Sequence, residues 1–142
     1  MRLCLNRNKA MTPEIITSFR SAGLYEIDLD HLKTVVLGRE LFIYALPTPR
    51  SLDVSFISRI HCILQRTTLN DGHSYSWELT DLSYNGTLIN GVRLESAIPY
   101  QLHHGQLVEI LPLKIGYIVD DDETDTESME APRAMEFLLE SA

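Results

Sequence analysis

The sequence predicts an all-β fold of many short strands, a sandwich or a barrel. Three observations lead there. From Leu24 onward the apolar residues fall in short runs rather than long helical stretches. Gly, Asn and Pro clusters separate those runs at Pro47-Thr48-Pro49, Asn70-Asp71-Gly72, Asn85-Gly86, Asn90-Gly91 and His104-Gly105. The single tryptophan, Trp77, lies inside one of the runs, where an inter-sheet core would need a large side chain.

Taken in order, Arg2 to Asn6 alternates polar and apolar residues, a short strand signal. Thr12-Pro13, Ile15, Ile16, Phe19, Ala22 and Gly23 fit a short helix capped by Thr12, with Pro13 in its first turn and Gly23 past its end. The β-branched run Ile15-Ile16-Thr17 fits a strand almost as well, so this segment stays open between the two. Strand-like runs follow at Tyr25 to Leu29, Thr34 to Leu37, Leu41 to Leu46, Ile60 to Thr67, Tyr75 to Leu82, Leu107 to Leu111 and Ile115 to Val119. Asn70-Asp71-Gly72 is expected to close a hairpin between the Cys62 and Trp77 strands.

Charge divides the chain in two. The 142 residues carry a formal net charge of −8, yet residues 1–119 balance 11 basic against 11 acidic side chains. Residues 120–142 set Arg133 alone against nine acids. The organisation expected is a domain over 1–119 with its core motifs in 25–119, followed by an acidic flexible tail over 120–142. Seven acids within 120–131 cannot bury enough apolar surface to order a backbone. Met135, Leu138 and Leu139 then fall on one face of a short helix over 133–140.

A neutral body lacks the basic stripe that nucleic-acid binding needs, and the acidic tail disfavours anionic membrane. No stretch of about 18 uninterrupted apolar residues is present, and no apolar run follows the N-terminal charges as a secretory signal requires. Cys4 and Cys62 lack framework spacing, which fits packed thiols in a reducing, intracellular compartment. His103-His104 has no neighbouring Cys or acid at ligand spacing, so no metal and no cofactor are expected.

The informative residues sit at the turns. Gly38-Arg39 ends one strand, Ser58-Arg59-Ile60-His61 enters the next core strand, and Asn85-Gly86-Thr87 leads to Asn90-Gly91. In this order the three blocks resemble the forkhead-associated (FHA) domain family, over roughly Tyr25 to Val119. The resemblance implies an all-β, FHA-type β-sandwich of two antiparallel-rich sheets with about 10–11 strands, which reads phosphothreonine in a partner protein or peptide. It further implies that Arg39 and Ser58 grip the phosphate, Arg59 supports it and Asn85 holds the peptide backbone. His61 and Asn90 would be internal braces, with Gly38 and Gly86 permitting close approach.

The chemistry suits those roles. A phosphate ester carries about −1.5 to −2 charges and three strong acceptors. Arg39 offers a planar fork with a permanent charge, Ser58 a hydroxyl and a loop amide, and Arg59 a second cation. Two or three charge-assisted hydrogen bonds, less the cost of association, give a micromolar complex of about −8 kcal/mol. At Tyr84 the sequence departs from the family's small Thr or Ser; a phenol can donate a hydrogen bond, but its bulk could fill the pocket mouth.

The expectation is therefore a non-enzymatic phosphothreonine adaptor in intracellular signalling, nuclear and tied to DNA damage or the cell cycle, or otherwise cytoplasmic. The alternative is an FHA fold that has lost phosphopeptide binding and serves as a homodimerisation scaffold. Tyr84 and the apolar Leu41–Leu46 run motivate it, the run fitting an edge strand, a specificity surface or a dimer contact. Ser58, His61 and Asp81 are hydrolase residue types, but no G-x-S-x-G elbow accompanies them. Thr124, with Glu127 three residues on, suits an acid-directed kinase; once phosphorylated, Thr124 or Thr126 could enter this pocket or a neighbour's.

Overall fold

Ten strands and two helices make up the computed structural model, which describes residues 1–121. Thr124, Thr126 and the 133–140 segment lie outside the described residues. The strands are β1 (Arg2–Asn6), β2 (Glu26–Asp28), β3 (Thr34–Leu37), β4 (Cys62–Thr68), β5 (Tyr75–Asp81), β6 (Thr87–Ile89), β7 (Val92–Arg93), β8 (Tyr100–Gln101), β9 (Leu107–Ile110) and β10 (Ile115–Asp120). Six of them form a sheet in the order β2-β1-β10-β9-β6-β7, and four form a second in the order β3-β4-β5-β8. Every recorded pairing is antiparallel.

Alternation along the strands supplies the core. Leu3 and Leu5 of β1 point inward with Val108, Ile110, Tyr117 and Val119, while Leu37, Cys62, Leu64, Trp77 and Leu79 come from the other sheet. Trp77 is fully buried, as its place in the sequence suggested. The hairpin at residues 69–74 is present: Thr68 pairs with Tyr75, and the Asp71 carboxylate accepts from the His73 and Ser74 amides at 2.8 Å each. Burial pushes the Cys62 thiol far up its range, so this cysteine is a packing residue.

The ambiguous N-terminal segment is a helix, α1 (Pro13–Ser21), with Thr12 Oγ1 accepting from the Ile15 amide. Ile15 and Phe19, four residues apart, are its buried face. The expectation for Leu41 to Leu46 was wrong. Residues Arg39–Ala45 form a second helix, α2, that buries Phe42 and Ala45. Phe42, Ala45 and Leu46 follow helical spacing, whereas a strand would have placed Tyr44 with Phe42; Tyr44 is instead exposed. The Phe42 ring packs on Phe19 of α1 with centroids 6.3 Å apart, so Phe42 is core and not an association surface.

Two other boundaries differ from the sequence reading. The short strands β6, β7 and β8 lie in stretches to which the sequence reading assigned no strand. Asp120, taken as the first acid of the tail, is the last residue of β10. Register places it opposite Arg2, whose Nη2 donates to Asp120 Oδ2 at 2.7 Å.

Candidate functional site

Three connecting segments meet at one end of the sandwich, held by hydrogen bonds between the motif residues. Arg39 is the first residue of α2, and its amide donates to the Ser58 carbonyl at 3.0 Å. Its side chain turns back so that Nε donates to the Ile57 carbonyl at 2.8 Å. That bond uses the inner edge of the guanidinium. The two Nη groups have no hydrogen-bond partner among the described residues, and the side chain is half-buried. A permanent cation with fixed orientation and unspent donors is what a bound oxyanion requires.

Ser58 lies next to it. Its Oγ accepts from the Tyr84 amide at 3.0 Å, which leaves the hydroxyl proton to donate outward. The Ser58 amide, expected to face a ligand, donates instead to His61 Nδ1 at 3.3 Å. The same imidazole has Nε2 2.7 Å from the Gly86 carbonyl. An amide donor on one nitrogen and a carbonyl acceptor on the other fix the neutral tautomer with the proton on Nε2. Burial holds this imidazole below its ordinary range, against the opposing pull of the Gly86 carbonyl and Asp81.

Asn85 Nδ2 donates to the Phe56 carbonyl at 2.8 Å, so the side-chain amide is oriented by the 47–61 loop. That loop fills the 18-residue interval between Arg39 and Ser58 together with α2, and the buried Val54 and Ile57 anchor it. Tyr84 does not fill the mouth of the site. Its side chain is 88% exposed, while its backbone does the bracing.

Arg59 is exposed beside Ser58, and its side chain has no partner among the described residues. Its carbonyl presses against Gly38: a Cβ there would sit far inside contact distance of the Arg59 oxygen. Gly38 has ordinary extended backbone, so close approach alone demands glycine. Gly38→Ala is expected to destabilise by about 1–3 kcal/mol through this overlap. A urea titration measures it; an unchanged midpoint would show that the 58–61 loop yields without cost.

Asn90 is not part of this cluster. It stands at the far end of β6 from Gly86, where its amide donates to the Leu107 carbonyl and its Oδ1 accepts from the Leu107 amide, both at 2.8 Å. With Gly91 it makes the two-residue β6–β7 turn, both residues at positive φ as such a turn needs.

The roles of several residues of the site escaped the sequence reading. Asp81 is buried, and its Oδ1 accepts from Ser83 Oγ at 2.6 Å and Thr87 Oγ1 at 2.9 Å; Ser83 Oγ in turn accepts from the Gly86 amide at 2.7 Å. Asp-x-Ser after a strand is an Asx-turn signal that could have identified this brace. Arg93 on β7 was also missed: its guanidinium lies over Gly86, a contact across the hairpin that the Asn90-Gly91 turn signal could have suggested. Ser58, His61 and Asp81 do not form a relay, since His61 bonds the Ser58 amide rather than the hydroxyl.

Two antiparallel sheets, with an arginine at a helix start and a serine and an asparagine on neighbouring loops at one end, define the class as a β-sandwich. The FHA domain model matches residues 35–111, more than half of the chain, and this chain belongs to the FHA domain family. Among solved structures, the MEK1 FHA domain is similar at a TM-score of 0.58 and 21% identity, covering 82% of this chain and 85% of that one. Full-length yeast Pml1p is similar at a TM-score of 0.56 and 20% identity, over 83% and 78%. The yeast Dun1 FHA domain, solved with a doubly phosphorylated peptide derived from Rad53, is similar at a TM-score of 0.52 and 18% identity, over 82% and 71%. No curated protein sequence matches the chain.

Proposed function

We propose that this domain binds phosphothreonine-containing peptides and acts as a non-enzymatic adaptor. One observation carries the reading: Arg39 is oriented by its Nε bond to Ile57, with its Nη groups unspent, beside a Ser58 hydroxyl whose proton is available. In this reading Arg39 and Ser58 hold the phosphate, Arg59 adds charge from the rim and Asn85 hydrogen-bonds the peptide backbone. His61 and Gly86 keep the loops in place, and Asn90 supports them through the β6–β7 hairpin. Family membership and the peptide-bound Dun1 domain support it.

The module proposed spans residues 1–120, one residue past the 1–119 expected, because β10 runs to Asp120 and β1 lies between β2 and β10 inside the larger sheet. A nuclear setting is proposed with it, since Pml1, a splicing factor, is among the similar structures. The scaffold alternative retains only Ile43 and Tyr44 as exposed apolar residues of α2, Phe42 being core.

Isothermal titration with matched phosphothreonine, phosphoserine and unphosphorylated peptide libraries tests the proposal. Micromolar binding that disappears without the phosphate is the expected result. Equal binding of phosphorylated and unphosphorylated peptides would overturn it.

A further inference from the structure

We infer that Arg93 reads a second anionic group in the ligand, a carboxylate or another phosphate, within three residues of the phosphothreonine. This rests on the phosphopeptide reading above and deepens it.

The position of Arg93 is fixed by the fold. It pairs with Leu88 across the β6–β7 hairpin, and the next residue, Leu94, donates its amide to the Thr87 carbonyl at 3.0 Å. This returns the guanidinium over Gly86, where its Cζ and Nε lie 2.9 Å from the place a Cβ would occupy. Its Nη2 makes a long contact, 3.5 Å, to the Tyr84 carbonyl. A side chain on residue 86 would displace the guanidinium, so glycine there serves the arginine as well as its own φ of 108°.

Arg93 has no carboxylate partner among the described residues. Arg2 is taken up by Glu26 and Asp120, and Arg20 and Arg66 lie over Tyr25 and Tyr75. Asp81, the buried acid of the loop, spends its Oδ1 on Ser83 and Thr87. Arg93 is exposed, and among the described residues nothing compensates its charge at the rim of the site.

Reach sets the register. Tyr84 bonds Ser58 Oγ through its amide and meets Arg93 through its carbonyl. The guanidinium therefore lies within about 10 Å of the Ser58 hydroxyl. An extended peptide advances about 3.3–3.6 Å per residue, so an acid up to three positions from the phosphothreonine can meet Arg93. Such rim pairs set specificity and are screened by salt.

The test uses neutral peptides with a central phosphothreonine, into which one Asp, or one phosphoserine, is walked through the three positions on either side. Fluorescence polarisation at low salt gives the ratio of acidic-flank to neutral-flank affinity. At the best position the unmodified protein should show a ratio of about five for Asp, larger for phosphoserine. Arg93→Gln should bring the ratio to about one, and Arg93→Lys should retain part of it at low salt. A loop merely disturbed by the substitution would lower both affinities and preserve the ratio, which overturns the inference. So would a ratio of one in the unmodified protein. Absence of any phosphate-dependent binding by the unmodified protein overturns the underlying reading and this inference with it.

Discussion

Arg39→Ala is expected to weaken phosphothreonine-peptide binding by about 2–4 kcal/mol, roughly 30- to 1,000-fold. Charge-assisted hydrogen bonds contribute about 1.5–3 kcal/mol each, and the two Nη groups offer more than one. The orientation matters as much as the charge. Nε is engaged with the Ile57 carbonyl at 2.8 Å, so the guanidinium enters the complex already directed and loses little rotamer freedom on binding. Arg39→Lys should therefore recover only a small part of the loss, because an ammonium cannot hold Ile57 and present a planar fork together. Titration calorimetry of the three proteins against one phosphothreonine peptide decides the matter. Binding by Arg39→Ala within threefold of the unmodified protein would place the phosphate elsewhere.

His61→Ala is expected to destabilise the fold by about 2–4 kcal/mol. The imidazole is fully buried, and its loss leaves a cavity and a Ser58 amide without its acceptor. The Gly86 carbonyl loses one of two donors, keeping the Leu111 amide at 3.1 Å. A pH dependence follows from the same environment. Burial lowers the folded-state value below the ordinary one of about 6.5, so the unfolded chain takes up the proton first. Stability from this group is full above that pH and declines as the pH falls below it, until the folded imidazole protonates too. Urea unfolding at pH 8, 7, 6 and 5 should show the gap between the unmodified protein and His61→Gln narrowing toward acid. Parallel curves would mean that His61 titrates alike in both states.

Both expectations rest on residues that the sequence made visible. Gly38-Arg39, Ser58 to His61 and Asn85-Gly86 stand at strand ends, and short turns leave a contiguous block few ways to fold. The family pattern then told which side chains would converge. Geometry corrected the details: the Ser58 amide faces inward to His61, and Tyr84 turns into solvent. A bulky residue reads as an obstruction only while the direction of its Cα–Cβ bond is unknown.

Arg93 was illegible for a different reason. Its contact with Gly86 exists because the Asn90-Gly91 turn folds β7 back along β6; the turn was legible, but a two-residue strand has too little alternation to show which way Arg93 points. Leu41 to Leu46 was legible in composition but not in period. Its apolar residues satisfy a strand's demand for burial, and the helix prevails because Phe42 finds Phe19 of α1 to pack against.

By itself the sequence determined the all-β class, the hairpin at Asp71-Gly72 and the motif residues, since turn chemistry and alternation act over a few neighbouring positions. Tertiary structure decided which apolar run became α2, that Asp120 closes β10 against Arg2, and that Arg93 joins the rim of the site. The first two outcomes depend on burial and pairing between segments far apart in the chain, and the third on the direction of one side chain across a hairpin; only the packed fold sets these.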